Sequence, residues 1–314
     1  MRAILRRLLL LVVIVFFVSL FTAFLIELTP GDPVAAVAGF SSEEQRENIR
    51  QDLGLDRSFP VRYVKWLGNF ATGDFGNYYS VTGGRPVWDT MKPAVPVNLF
   101  LMLYAMIITL LLAIPLGVLA SYKAGTWIDR VINTTAFGAI SIPDFALGLV
   151  LVYWLGVRLQ WLPVAGYIAP SENLVLHFKS LTIPAISLAV AQVAGYMRLL
   201  RSDMIQTLQE DYILMAKAKG MPSRRILWGH ALRPSSLTLL TVAGLNIGAL
   251  IGGAVVLEII FQLNGVGTII TDAISAKQYV ALQSAVALIA FFYVAVNLLV
   301  DVLYSVLDPR VRHG

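Results

Sequence analysis

The sequence predicts an all-α polytopic membrane protein with six transmembrane helices and one large loop between the first two. Hydrophobic residues make up 57% of its 314 residues and charged residues only 14%, against about 25% charged in soluble domains. Mean hydropathy is +0.73. The apolar residues also come in long unbroken blocks rather than at amphipathic spacing, the pattern of segments that cross a bilayer.

The first block follows Arg2, Arg6 and Arg7 and runs from Leu8 to Leu28. A cleavable signal has an apolar region of about 7–15 residues, whereas this run rises about 31 Å, enough to cross the hydrocarbon core. Residues 1–28 are read as a retained span. The alternative is a cleaved signal, since Ala35-Ala36-Val37-Ala38 resembles a cleavage site. Thr29-Pro30-Gly31-Asp32-Pro33 stops the helix, because two prolines and a glycine cannot continue it. Residues 29–96 are polar and mixed in charge and read as an extracytoplasmic loop or small helical subdomain. Ser41-Ser42-Glu43-Glu44 opens one short helix, with serine capping and acids in the first turn, and Arg62 to Phe70 forms another.

Five further blocks follow, at about Val97–Ala120, Val131–Leu155, Leu181–Leu200, Leu237–Phe261 and Ala281–Leu303, so residues 97–305 form the membrane domain and 306–314 a tail. An even number of spans puts both termini on one side. The basic ends (Arg2, Arg6, Arg7; Arg310, Arg312) place that side in the cytoplasm. Lys123 and Arg130 after span two agree, as do Lys217, Lys219, Arg224, Arg225 and Arg233 after span four. The loop between spans five and six has only Lys277.

The net charge of +5 therefore marks a cytoplasmic face and does not point to nucleic acid. With no cysteine, disulfides, thiolate catalysis and Cys-based metal sites are excluded. His177, His230 and His313 are scattered, which argues against a His-rich metal site. The chain has no Gly-x-Ser-x-Gly, no His-Glu-x-x-His and no phosphate-binding loop. No catalytic, cofactor-binding or metal-binding residue is assigned.

Within the spans, Gly244, Gly248 and Gly252 recur every four residues, followed by Gly253, and give one helix face on which another helix can approach closely. That face is either ordinary packing or a translocation seam against a second subunit. Prolines interrupt spans at Pro115, Pro143 and Pro184, where they kink a structural span or line a pathway. Asn133, Asp144, Gln192, Asn246, Glu258, Asn297 and Asp301 are polar. Intramembrane ionisable groups are functional candidates, but Glu258 and Asp301 lie near span ends and Asp144 follows Pro143, so interface placement competes. No proton relay runs down one helix, which argues against a self-sufficient secondary transporter.

The loop from Ser202 to Pro234 is the most informative stretch. Met204, Leu208, Tyr212 and Met215 repeat at helical spacing and predict an amphipathic helix over 203–219. Gly220 ends it, Pro222 prevents resumption, and Lys217 and Lys219 suit the negative helix terminus. A second short helix is expected from Ser223 or Arg224 to Arg233. The pair either lies on the membrane surface or docks a cytoplasmic partner.

Asp211-Tyr212-Ile213-Leu214-Met215-Ala216-Lys217-Ala218-Lys219-Gly220, followed by His230-Ala231-Leu232-Arg233, resembles the cytoplasmic signature of bacterial ABC importer permeases of the dipeptide/oligopeptide/nickel family. The likeness extends over almost the whole chain. Pro30-Gly31-Asp32-Pro33, Leu53-Gly54-Leu55-Asp56, Gly73-Asp74-Phe75-Gly76, Gly84-Arg85-Pro86-Val87 and Ser141-Ile142-Pro143-Asp144-Phe145 carry it. So do Trp161-Leu162-Pro163-Val164-Ala165-Gly166, Gly252-Gly253-Ala254-Val255-Val256-Leu257-Glu258 and Leu307-Asp308-Pro309-Arg310. Two departures stand out: Asn264 occupies a position where the family often has proline, and Leu214-Met215 replace a common Arg-Thr.

The resemblance implies the type I ABC importer permease fold. It also implies a paralogous second permease, two cytoplasmic ATPases that bind ATP and Mg, and an extracytoplasmic substrate-binding protein. The chain would sit in the bacterial inner membrane. Residues 203–233 would be the coupling loop, with Asp211, Tyr212, Met215, Ala216, Lys217, Ala218, Lys219 and Gly220 meeting the ATPase. Peptide is the implied substrate class, with nickel and glutathione as alternatives.

Overall fold

A computed structural model describes residues 2–30, 34, 42–80, 83–248, 250 and 254–307. The Ala35–Ala38 segment, Gly252 and Gly253 and residues 308–314 of the tail lie outside the described residues. Among these residues, four helices are long and apolar enough to cross a membrane, or up to six if each of two broken helix pairs is one span. By contacts the chain falls into two compact units, Met1–Asn98 with Leu263–Leu298, and Leu99–Gln262 with Leu299–Gly314.

The first unit opens with α1 (Arg2–Glu27), which ends before Pro30 as expected. A narrow stripe of α1, Val15, Ser19 and Ala23, is buried, while most of its large apolar side chains face outward. Next come α2 (Glu43–Asp52), with Glu43 and Glu44 in its first turn and Arg50 in its last, and α3 (Phe59–Ala71). Those charges oppose the helix dipole at each end. Proline at the start of α3 loses no helical bond there and is pre-set for helical φ. The Tyr63 hydroxyl of α3 donates to the Phe16 carbonyl of α1 at 3.0 Å and pairs with the Ser19 hydroxyl at 2.9 Å.

A two-stranded hairpin follows that the helical reading of the loop did not anticipate. β1 (Asn77–Ser80) runs antiparallel to β2 (Gly83–Pro86), with Tyr78 opposite Arg85. The side-chain amide of Gln278 bonds both backbone groups of Tyr79, accepting at 3.0 Å and donating at 2.6 Å, as a neighbouring strand would. A two-stranded hairpin alone is marginal in water, so this long-range clamp explains why so short a hairpin persists. The start of α4 (Val87–Tyr122), α11 (Val266–Ser275) and the start of α12 (Tyr279–Leu307) complete the unit. Val87, Met91, Val266, Ile269, Ala281 and Ala285 are buried together in its core. Asn98 caps α11 by accepting from the Val266 N–H at 2.8 Å.

The second unit holds the rest of α4, then α5 (Trp127–Ser141), α6 (Asp144–Leu151), which widens into a π-helical turn at Val152–Arg158, and α7 (Leu174–Thr207). The apolar block at 131–155 is broken rather than straight: α5 and the segment Asp144–Arg158 meet at 99°. Pro143 has no N–H to donate and pushes its predecessor out of the helical region, and Ile142 is extended at φ −94 and ψ 122. Pro184, by contrast, stays inside continuous α7.

Helix packing in this unit depends on close approach. A Cβ on Gly117 would sit 3.0 Å from Leu200, and one on Gly148 3.1–3.2 Å from Ser187, Leu257 and Phe261. The chain continues through α8 (Asp211–Ala218), a single turn at Ser223–Arg225, a π-helical turn at Ile226–Ala231, α9 (Leu232–Ile247) and α10 (Val255–Phe261). The second loop helix therefore does not stop at Arg233: Ala231 keeps helical backbone angles and the π-helical turn at Ile226–Ala231 runs into α9, with Pro234 inside the run. Beyond α10, Asn264 lies at φ +54. A proline ring fixes φ near −65°, so asparagine permits a left-handed backbone here that the family's usual residue would forbid.

Candidate functional site: a short exposed helix between two long ones

The signature stretch folds as a short helix presented by the ends of two long ones. The amphipathic helix expected over 203–219 is two helices. α7 stops at Thr207, Glu210 is extended at φ −66 and ψ 146, and α8 begins at Asp211. The break has tertiary causes. The Ser235 hydroxyl of α9 donates to Thr207 Oγ1 at 2.9 Å and fixes where α7 ends, and Lys217 Nζ reaches back to the Leu208 carbonyl at 3.4 Å. That lysine satisfies one of the carbonyls a helix end leaves unbonded.

The apolar stripe is also redistributed. Met204 is buried in α7, whereas Tyr212 and Met215 are 46% and 58% exposed. Ile213 and Ala216 face inward instead, and α8 lies against the π-helical turn that contains buried Ile226, Leu227 and Ala231. The outer face of α8 thus carries Tyr212, Leu214 and Met215, with Lys217, Ala218 and Lys219 beyond them, and Trp228 is exposed on the adjoining turn. Partial desolvation and nearby Glu210 push the Tyr212 phenol up from its ordinary value.

Gly220 behaves as the spacing predicts. It sits at φ +74, its N–H donates to the Lys217 carbonyl at 2.9 Å, and the Met221 N–H donates to Ala216 at 3.2 Å. That bond pair is the Schellman ending of a helix. A Cβ there would meet nothing within 4 Å, so the demand for glycine is conformational.

The same unit holds a network that the sequence reading missed. Asp129, 4% exposed in the first turn of α5, takes both the Nε and an Nη of Arg201 on α7 at 2.6 Å. It also accepts from the Gly125 N–H at 2.9 Å and from Asn133 Nδ2 at 2.7 Å. Bidentate, fully bonded pairs are the arrangement in which a buried carboxylate and guanidinium are tolerated. Both residues flank apolar blocks, but nothing in the sequence pairs charges 72 positions apart.

The pathway candidates are dispersed. Pro143 is exposed at the break and Asp144 half-buried in the first turn of α6. On α7, Gln192 is half-buried one turn before Tyr196, whose hydroxyl faces Asn246 of α9 without a bond in good geometry. Gly244 is a packing point, since a Cβ there would be 2.0 Å from Val300 Cγ1. Gly248 is buried on the same helix face. Glu258 is fully buried on α10.

A polytopic helical membrane protein presenting a short, capped, apolar-faced helix between two spans is the architecture of a transporter's membrane subunit. Comparison with known families agrees. Residues 113–313 match the binding-protein-dependent transport system inner membrane component, and residues 1–102 match the N-terminal region of such membrane components. The chain belongs to this family and is a membrane-spanning permease subunit of an ABC importer. It is 36% identical to a probable peptide ABC transporter permease protein of Sinorhizobium fredii, over 99% of each chain. It is 36% identical to an oligopeptide transport system permease protein of Bacillus subtilis over 99% of each, and 32% identical to a glutathione transport system permease protein of Escherichia coli over 99% and 98%.

Proposed function

We propose that this chain forms half of the translocation pathway for peptides and that α8 is the element through which a separate ATPase drives it. The exposed Tyr212-Leu214-Met215 face on a helix held from behind by Ile213 and Ala216 supports the coupling reading. Apolar side chains exposed on a rigid support form a patch that a partner groove would cover. In this reading residues 1–28 are the first span, 29–96 an extracytoplasmic subdomain, 97–305 the permease domain with its coupling loop at 203–233, and 306–314 a tail, with both termini cytoplasmic. The partners are a paralogous permease, two ATPases holding ATP and Mg, and an extracytoplasmic binding protein. The chain itself carries no catalysis, cofactor or metal. The names of full-length relatives support peptide as substrate class, with glutathione, itself a peptide, within range.

The test is ATP-dependent uptake by the assembled transporter in proteoliposomes, with radiolabelled dipeptide, oligopeptide, glutathione and nickel offered in parallel, together with cross-linking from a cysteine at Met215. Uptake of a peptide and a Met215 cross-link to the ATPase are expected. Nickel uptake alone overturns the substrate class, and labelling of Met215→Cys from outside intact cells overturns the coupling reading.

A further inference from the structure

The first unit contains two adjoining cavities that the transport reading does not use. One, of about 260 Å³, lies among the end of α1, α3 and the start of α12, with Phe59, Tyr63, Trp66 and Tyr279 among its walls. The other, of about 220 Å³, is polar, with Arg57, Lys65, Asp52 and Asp74 among its lining residues. Leu53, Arg62, Trp66 and Val280 line both. The two are therefore chambers of one cleft, apolar and aromatic on one side and charged on the other.

The walls are held in place. Trp66 Nε1 donates to the Ser284 hydroxyl at 3.1 Å, the Tyr63 hydroxyl is bonded to α1, and Arg62 pairs with Glu27. Gln283, only 9% exposed and lining the apolar chamber, has an amide nitrogen with no partner among the described residues. Buried amides are normally bonded, so this one points to an acceptor supplied from elsewhere. The apolar chamber borders Ala23, Ile26 and Thr29, the end of a span whose other faces are apolar and outward. The cleft thus opens where that span leaves the hydrocarbon.

We propose that the cleft holds one phospholipid from the leaflet at the C-terminal end of α1. Its phosphate lies against Arg57, Arg62 and Lys65, which across the two chambers face an equal number of carboxylates, Glu27, Asp52 and Asp74. The glycerol ester region meets Gln283, and the first methylenes of an acyl chain lie on Phe59 and Tyr63. An amphiphile matches a cleft whose two ends differ in polarity, and guanidinium and ammonium groups are the usual phosphate donors. This inference needs α1 to be a membrane span but does not rest on the substrate or the coupling reading.

The test uses the assembled transporter in phosphatidylcholine nanodiscs containing a minor fraction of brominated phosphatidylglycerol. Trp66 quenching is isolated as the difference between wild type and Trp66→Phe, and native mass spectrometry counts retained lipid. One retained phospholipid per copy of this chain and saturable quenching at low mole fraction are expected. Arg62→Gln with Lys65→Gln should weaken binding by about five-fold per cation, and Gln283→Leu should weaken it without altering the fluorescence maximum of Trp66. Quenching that rises linearly with bulk lipid and ignores Arg62→Gln, or no lipid retained by wild type, overturns the proposal. So does displacement of the lipid by a saturating dipeptide, which would make the cleft a substrate vestibule, or by inorganic phosphate, which would make it an anion site.

Discussion

Helices α3 and α8 are both short, both lie outside the apolar blocks, and both carry aromatic and aliphatic side chains, yet they use them in opposite ways. In α3, Phe59, Tyr63, Trp66 and Phe70 form a row with ring centroids 6.4, 6.0 and 5.2 Å apart, and its tyrosine and tryptophan polar groups are bonded within the chain. In α8 the residues that face inward are the small or purely aliphatic Ala216 and Ile213, while Tyr212, Leu214 and Met215 remain outside. An amphipathic pattern alone does not say whether the apolar face is for the chain itself or for another molecule. The fate of the polar handles does: where the chain consumes them, the helix is part of the fold.

Substitutions sharpen this contrast. Trp66→Ala removes half-buried aromatic surface and a bond to Ser284, and should lower stability by about 3 kcal/mol, visible as a marked drop in Tm of the detergent-solubilised transporter. Met215→Asp should leave Tm unchanged yet reduce ATP-driven uptake by roughly 100-fold, since an unpaired charge buried at a protein contact costs several kcal/mol; wild-type uptake would remove α8 from the coupling path. Gly220→Ala should cost about 1 kcal/mol, purely from left-handed backbone, with uptake impaired in proportion to fraying of α8 rather than abolished. Tyr63→Phe should be mildest, about 1 kcal/mol or less, read as a small Tm shift with normal uptake. Ala216→Glu belongs with the first group: its site is buried within the chain, so its failure would report misfolding and not lost docking.

Most of the architecture was legible because the bilayer imposes a simple rule: backbone groups must be satisfied within the segment, so long apolar blocks become helices. Gly220 was legible for an equally local reason, as only its backbone geometry matters. What escaped the sequence depends on distant partners. Met204, Leu208, Tyr212 and Met215 kept helical spacing across a break set by Ser235 and Thr207. Pro143 reads the same as Pro184 in sequence, yet one turns the chain and the other does not. The β1–β2 hairpin depends on Gln278, 199 positions from Tyr79. The outer face of α8 was half legible: Tyr212 and Met215 were singled out and are exposed, whereas Ala216, named with them, is buried within the chain.

The Asp129–Arg201 pair also constrains how the protein is made. Its halves lie 72 positions apart in the chain, so the aspartate reaches the membrane during synthesis well before its arginine exists. Until α7 arrives, that carboxylate has only Gly125 and Asn133 to bond. An ionised group near the end of a span is poorly accommodated by lipid until it finds a partner. The arrival of Arg201 completes the bonding of that carboxylate, so the start of α5 reaches its final environment only once α7 is in place.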